Sequence, residues 1–88
     1  MASSIRLRVL TDAGLAIEDE AVSIIAPGER GYVGFLRNHA PLVTTLRAGK
    51  LWWRTPAGGS RTAHIGEGLL EISRNRLTVL TAQVEESP

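Results

Sequence analysis

Ile5, Leu7 and Val9 alternate with Arg6 and Arg8, the period-two pattern of a strand with one buried face and one wet face. Thr11-Asp12-Ala13-Gly14 predicts a turn. The stretch from Leu15 to Ala26 contains no Gly or Pro and has the length of a short helix, but the β-branched Val22, Ile24 and Ile25 favour an extended chain. Pro27-Gly28 is expected to end it as a turn. Further on, Leu51-Trp52-Trp53-Arg54-Thr55 and Arg61-Thr62-Ala63-His64-Ile65 flank Pro56-Ala57-Gly58-Gly59-Ser60, the spacing of a hairpin with a loose turn. Leu69 to Ile72 and Leu77 to Leu80 flank Ser73-Arg74-Asn75-Arg76, a second hairpin in which Asn75 suits positive φ, with helix as the second reading. The tail Ala82-Gln83-Val84-Glu85-Glu86-Ser87-Pro88 is polar and is expected to hold no further element. Turn residues recurring every about eight to twelve positions predict an all-β fold, a single flattened antiparallel sandwich or barrel. The expected domain spans residues 1–88, with about eight to ten short strands.

The stretch from Gly31 to Gly49 is the most specific part of the chain. Gly31 and Gly34 bracket β-formers, which predicts bulges or close backbone contact, because glycine inside a strand is costly unless geometry demands it. Arg37-Asn38-His39 is expected to form an exposed corner. Pro41 donates no ladder hydrogen bond and biases Ala40 toward extended geometry, so the chain should leave the corner as an entering strand through Leu42 to Leu46, closed by Gly49. Val33, Phe35, Leu42 and Leu46 are expected in the core. Trp52 and Trp53, being adjacent in a strand, must face opposite sides, one inward and one available as an anchor for a partner protein.

Composition narrows the chemistry. With 88 residues the chain is one small domain with little margin of buried surface. A formal charge of +1 lacks the footprint of a dedicated nucleic-acid binder, so a protein partner is expected. The rival reading is a small barrel stacking bases on Trp52, Trp53 and Tyr32, with Arg54 and Arg61 along the phosphates; Glu29 and Glu67 count against it. A third is an interaction module with an unrelated partner, sharing only the fold. No cysteine is present, which removes disulfides and Cys-based zinc sites. The apolar runs are too short to cross a bilayer, and Met1-Ala2-Ser3-Ser4 lacks the form of a signal peptide, so no direct membrane insertion and no export are expected. His39 and His64 stand outside any ligand spacing, and no Gly-x-Ser-x-Gly elbow accompanies the serines. Gly66-x-Gly68 is read as a tight connection. No catalytic residue, metal or cofactor is assigned.

The order Gly31-x-x-Gly34, an apolar pair, then His39-Ala40-Pro41-Leu42, an apolar residue, Thr44-x-Leu46 and Gly49 resembles the signature of the epsilon subunit of F-type ATP synthases, called delta in mitochondria. The likeness covers nearly the whole chain: Ile5 to Leu10 is similar to the family's first strand, Ala21 to Ala26 to its third, and Gly66 to Ile72 with Leu77 to Leu80 to its closing strands. It implies a flattened β-sandwich on the rotor, non-catalytic, with the gamma subunit and the c-ring as partners. The implied location is the cytoplasmic face of a bacterial inner membrane, peripheral through the complex. It further implies that Tyr32, Arg37, Asn38 and His39 belong to the loop facing the c-ring, although many relatives carry an acidic residue at the position of Tyr32. Relatives often continue into two carboxy-terminal helices credited with inhibiting hydrolysis and, in some bacteria, binding ATP. The 88 residues hold no such helices, so neither role is carried over.

Overall fold

A computed structural model describes residues 3–87. Ten strands follow in order: β1 (Ile5–Thr11), β2 (Gly14–Ala21), β3 (Ser23–Gly28), β4 (Gly31–Leu36), β5 (Leu42–Leu46), β6 (Gly49–Arg54), β7 (Ser60–Ile65), β8 (Gly68–Ser73), β9 (Arg76–Thr81) and β10 (Val84–Glu86). Among the described residues there is no helix, so the helical readings of the stretches after Leu15 and Leu69 fall away. The strands hydrogen-bond in the order β10-β7-β6-β3-β5-β8-β9-β1-β2, with β4 beside β3. This one sheet folds over into a nearly closed sandwich.

The fold-over happens where β5 gives way to β6. Leu42 to Leu46 pair with β8, whereas Trp52 to Arg54 pair with β3, so one run of chain serves both layers. Arg47 N donates to Pro27 O at 2.8 Å across this joint. Gly49 therefore opens β6 rather than closing a strand. A Cβ there would lie 3.0 Å from Pro27 Cβ, so the glycine makes room for the Pro27 ring. Pro27 and Gly28 sit inside β3 rather than in a turn, paired with Tyr32 and Gly31; the turn falls at Glu29 and Arg30. Proline is tolerated because its missing N–H would point away from β4, so the β3–β4 ladder loses no bond.

The alternation read from the sequence carries the core. Ile5, Leu7, Val9, Leu70, Leu77 and Val79 have no exposed surface and line one layer. Ile24, Leu51 and Trp53 face them from the other, equally buried. Burying each such side chain contributes about 1.5–3 kcal/mol before the ordering entropy is set against it. Of the four residues expected in the core from the central stretch, Phe35 and Leu46 are buried, Val33 is partly buried, and Leu42 is 37% exposed. Leu42 lies at the first position of β5, beside the open corner, which explains its exposure.

Other expectations need correction. The stretch from Leu15 to Ala26 is two strands, broken at Val22. The pairing is not wholly antiparallel: β1 and β9 run parallel, Leu7 opposite Leu77. A parallel pair needs a long crossover, and almost the entire domain supplies it. The tail does hold an element, because Val84 to Glu86 pair with β7. The Arg74-Asn75 turn places both residues at positive φ, 52° and 61°, the mirror-image turn that matches strand twist.

Candidate functional site

At the corner after β4, two sequence-distant loops are tied together. Asn38 has a φ of 64°, and its backbone N–H donates to Asn75 Oδ1 at 2.6 Å while Asn75 Nδ2 donates back to Asn38 Oδ1 at 3.1 Å. Asn75 O in turn accepts from Arg6 N at 2.9 Å. His39 N donates to Leu36 O at 3.3 Å, closing the turn. The His39 ring packs tilted against Phe35 with centroids 5.0 Å apart and planes inclined at 56°, and its Nδ1 lies 2.6 Å from Ala40 O. A carbonyl only accepts, so Nδ1 donates in this contact. Arg37 reaches back to Ser3 O at 3.4 Å. The corner is thus held rigid from three sides, with Leu36 beside it 65% exposed.

Tyr32 is not part of that cluster. It is the second residue of β4, which Leu36 ends, so about 13 Å of strand separates it from the corner. Its ring, 57% exposed, packs against Trp52 with centroids 5.3 Å apart. Lys50 Nζ lies over the Trp52 ring at 5.0 Å, a favourable cation–π arrangement. Together they make an aromatic face on the outside of β4 and β6. Of the adjacent tryptophans, Trp52 is therefore the one available to a partner. Trp53 is fully buried and so is removed from the candidate contacts. Its Nε1 donates to Asp19 Oδ2 at 2.8 Å, and Arg61 donates to the same oxygen at 2.7 Å.

Of the family-motif positions, Gly31 has a φ of +133°, which favours glycine, whereas a Cβ on Gly34 would meet nothing within 4 Å. Gly34 keeps regular register opposite Ile25 and forms no bulge. Over residues 4–87 the chain matches the family profile described as ATP synthase, Delta/Epsilon chain, beta-sandwich domain. The chain belongs to this delta/epsilon family. The ATP synthase epsilon chain of Moorella thermoacetica is 34% identical over 85 residues, 97% of this chain and 63% of that protein. The epsilon chain of Desulforapulum autotrophicum gives the same identity and the same spans. The chain thus spans less than two thirds of the length of these delta/epsilon relatives. Among solved structures, a chain of the Euglena gracilis mitochondrial ATP synthase (OSCP/F1/c-ring, rotational state 1) superposes with a TM-score of 0.89 at 17% identity, covering 98% of this chain and 55% of that one. One from the Tetrahymena thermophila mitochondrial ATP synthase central stalk and c-ring gives 0.72 at 11%, covering 91% and 64%. At such identities the likeness establishes the sandwich fold.

Within that sandwich the residues sequence reasoning missed are Asn75, Lys50 and Asp19. Asn75 meets a residue 37 positions away and Asp19 one 34 positions away, separations that no local pattern signals, whereas Lys50 shares the Trp52 face at the strand's period of two. Among the described residues, no group of three or more His, Cys, Asp or Glu could hold a metal ion, and no buried side-chain polar atom lacks a partner.

Proposed function

We propose that this chain is a non-catalytic central-stalk subunit of an F-type ATP synthase, binding the gamma subunit and the c-ring and coupling ion-driven rotation to ATP synthesis. The observation that carries this reading is the match of residues 4–87 to the delta/epsilon sandwich domain. In this proposal residues 1–88 act as a single domain, peripheral to a bacterial membrane on its cytoplasmic side through the complex. No helix among the described residues is long and apolar enough to cross a membrane.

The role assigned is mechanical. Torque passes through a subunit only if its interfaces do not shear, and two layers sharing one close-packed core resist shear. The corner residues Arg37, Asn38 and His39, tied through Asn75 to the β8–β9 turn, supply a stiff contact for the c-ring, with Tyr32 at the far end of the same strand. Where relatives carry an acid, Tyr32 offers a ring and a hydroxyl, so its contact is by packing and hydrogen bonding rather than by charge. The half-buried Trp52, with Lys50 above it, supplies an amphipathic anchor of the kind enriched in protein interfaces. Affinity purification of the tagged chain from gently solubilised membranes tests the reading, with neighbouring chains identified by mass spectrometry. Recovery with gamma and c subunits supports it; a chain recovered alone would sink it.

A further inference from the structure

Three arginines gather at one place on the outer face of the sandwich. Leu7 and Val9, Leu77 and Val79, and Leu70 and Ile72 are buried. Their neighbours Arg8 on β1, Arg76 and Thr78 on β9, and Glu71 and Ser73 on β8 therefore point the other way, outward. Arg8 stands opposite Thr78, Thr78 opposite Glu71, and Arg76 opposite Ser73. Arg74 rises from the turn that joins β8 to β9. These six residues line one open recess of about 600 Å³. Arg8 and Arg76 are diagonal neighbours on adjacent strands, a separation that long side chains span.

The charges there are unbalanced. Two other arginines have carboxylate partners: Arg6 holds Glu18 and Glu20, and Arg61 holds Asp19 and Glu86. Among the described residues no carboxylate oxygen lies within 4.0 Å of a side-chain nitrogen of Arg8, Arg74 or Arg76. Three guanidinium groups share the recess with one carboxylate, that of Glu71, which leaves an excess of two positive charges. Like charges so placed repel one another, and an anion between them relieves the repulsion.

The turn supplies a second, independent observation. Arg74 has a φ of 52°, and the other non-glycine residues at positive φ among the described residues are Asn38 and Asn75, asparagine being a side chain that tolerates this region. The first central position of a mirror-image turn favours Asn, Asp or Gly, so arginine is held here against a steric cost that no ion pair offsets. Such an outlier points to function. What arginine brings, and asparagine or glycine would not, is a charged planar fork of donors. The tie between Asn38 and Asn75 fixes the base of this turn, which reduces the ordering that binding requires.

We propose that the recess binds a phosphate group, as orthophosphate or a phosphate monoester. Arg74 from the turn and Arg76 from β9 clasp its oxygens with paired N–H donors, and Arg8 adds a third charge from β1. The Ser73 and Thr78 hydroxyls donate from the strands beneath. The double negative charge of the ligand matches the excess of two positive charges in the recess. A free phosphate and a phosphatidate head group present this same chemistry. The inference stands on the recess and its turn and is independent of the rotor assignment.

The experiment titrates the isotopically labelled 88-residue chain with inorganic phosphate at constant ionic strength in chloride, following amide shifts. A parallel arm measures cosedimentation with vesicles of phosphatidate in phosphatidylcholine. The expected result is a set of saturable shifts confined to Arg8 and residues 73–78. Arg74→Asn should weaken binding by about fivefold or more and at the same time raise the urea midpoint, because asparagine takes the left-handed turn more readily. A merely structural arginine would not separate the two readouts. Glu71→Gln should tighten binding, and Arg30→Gln, in the β3–β4 turn, should leave it unchanged. Saturation by inorganic phosphate identifies a soluble ligand. A response to phosphatidate vesicles alone, lost in Arg74→Asn and kept in Arg30→Gln, identifies a lipid head group. No saturable response in either arm overturns the proposal, as does a loss in Arg30→Gln equal to that in Arg74→Asn. So does an Arg74→Asn variant that binds as tightly as wild type or is less stable than it.

Discussion

Asp19 on β2 holds Trp53 on β6 by accepting its indole N–H at 2.8 Å, across 34 positions of sequence and across the seam of the sandwich. The same carboxylate oxygen takes Arg61, which also pairs with Glu86 on β10 and lies over the Trp53 ring at 5.6 Å. Strands β2 and β10 end the hydrogen-bonded path, so side chains complete what the ladder leaves open. Replacing Asp19 by Ala strands a buried indole donor and is expected to cost about 1–3 kcal/mol. Asp19→Asn keeps an acceptor and should cost less. Urea unfolding of the two variants checks the order; equal losses would mean that charge, not the indole bond, holds the seam.

The same residue sets an acid dependence. Burial acts to raise the Asp19 carboxyl, but the hydrogen bonds from Trp53, the Glu20 N–H and Arg61, with the Arg61 charge, outweigh it and hold the group below its ordinary value of 3.8. A depressed folded-state value means stabilisation that is fully present above the unfolded value and lost as pH falls through the folded one. The stability of wild type relative to Asp19→Asn should therefore be level near neutrality and shrink below about pH 4. Unfolding curves at a series of acidic pH values test this, and a gap that widens on acidification contradicts the sign.

At the corner, Asn75 combines a φ of 61° with bonds to Asn38 in both directions. Asn75→Gly keeps the left-handed backbone and removes the side-chain tie, whereas Asn75→Ala loses both. The alanine variant is expected to be the less stable by about 1 kcal/mol. A double-mutant cycle between Asn38→Ala and Asn75→Gly should show a coupling of about 0.5–1.5 kcal/mol. Because Asn38→Ala keeps the backbone N–H that donates to Asn75 Oδ1, additive losses would mean that the bond from Asn75 Nδ2 to Asn38 Oδ1 contributes nothing to the brace.

His39 packs on Phe35 yet bonds only to backbone at its own turn. His39→Ala should cost the isolated domain no more than about 1 kcal/mol, the worth of one ring contact, and should reduce recovery of c subunits more than recovery of gamma. A variant that fails to fold would make His39 a structural residue and remove it from the proposed contact.

Local pattern made much of this legible. The alternation of Ile5, Leu7 and Val9 gave β1 its buried face, and Asn75 announced positive φ. What escaped depends on partners rather than on pattern. Val84 stands alone among polar residues, and β10 exists because β7 offers it an edge. Pro27 reads as a breaker until the direction of its absent N–H is known. Which tryptophan enters the core depends on the register of β6 against β3, where Trp53 opposes the buried Ile24. The tie between Asn38 and Asn75 joins loops that only the folded sheet brings together.

Glycines that look alike in sequence should respond very differently to a methyl group. Gly34 has negative or extended backbone geometry and open space where a Cβ would sit. Gly34→Ala should therefore be neutral or stabilising, by up to about 1 kcal/mol, because alanine has less chain entropy to lose. At Gly49 the Cβ would lie 3.0 Å from Pro27 Cβ and 3.4 Å from the Tyr32 hydroxyl. The alanine must push the ring that packs the fold-over, and a loss of about 1–3 kcal/mol is expected, typical of overpacking. At Gly68 the Cβ would fall 2.0 Å from Leu80 O. That oxygen is backbone of the neighbouring strand, so β8 and β9 must part locally, and the loss should be the largest of the three. Thermal unfolding of the three alanine variants tests the order Gly34, Gly49, Gly68 from least to most destabilised. A Gly68→Ala variant as stable as Gly34→Ala would show that β8 and β9 do not lie in the register described.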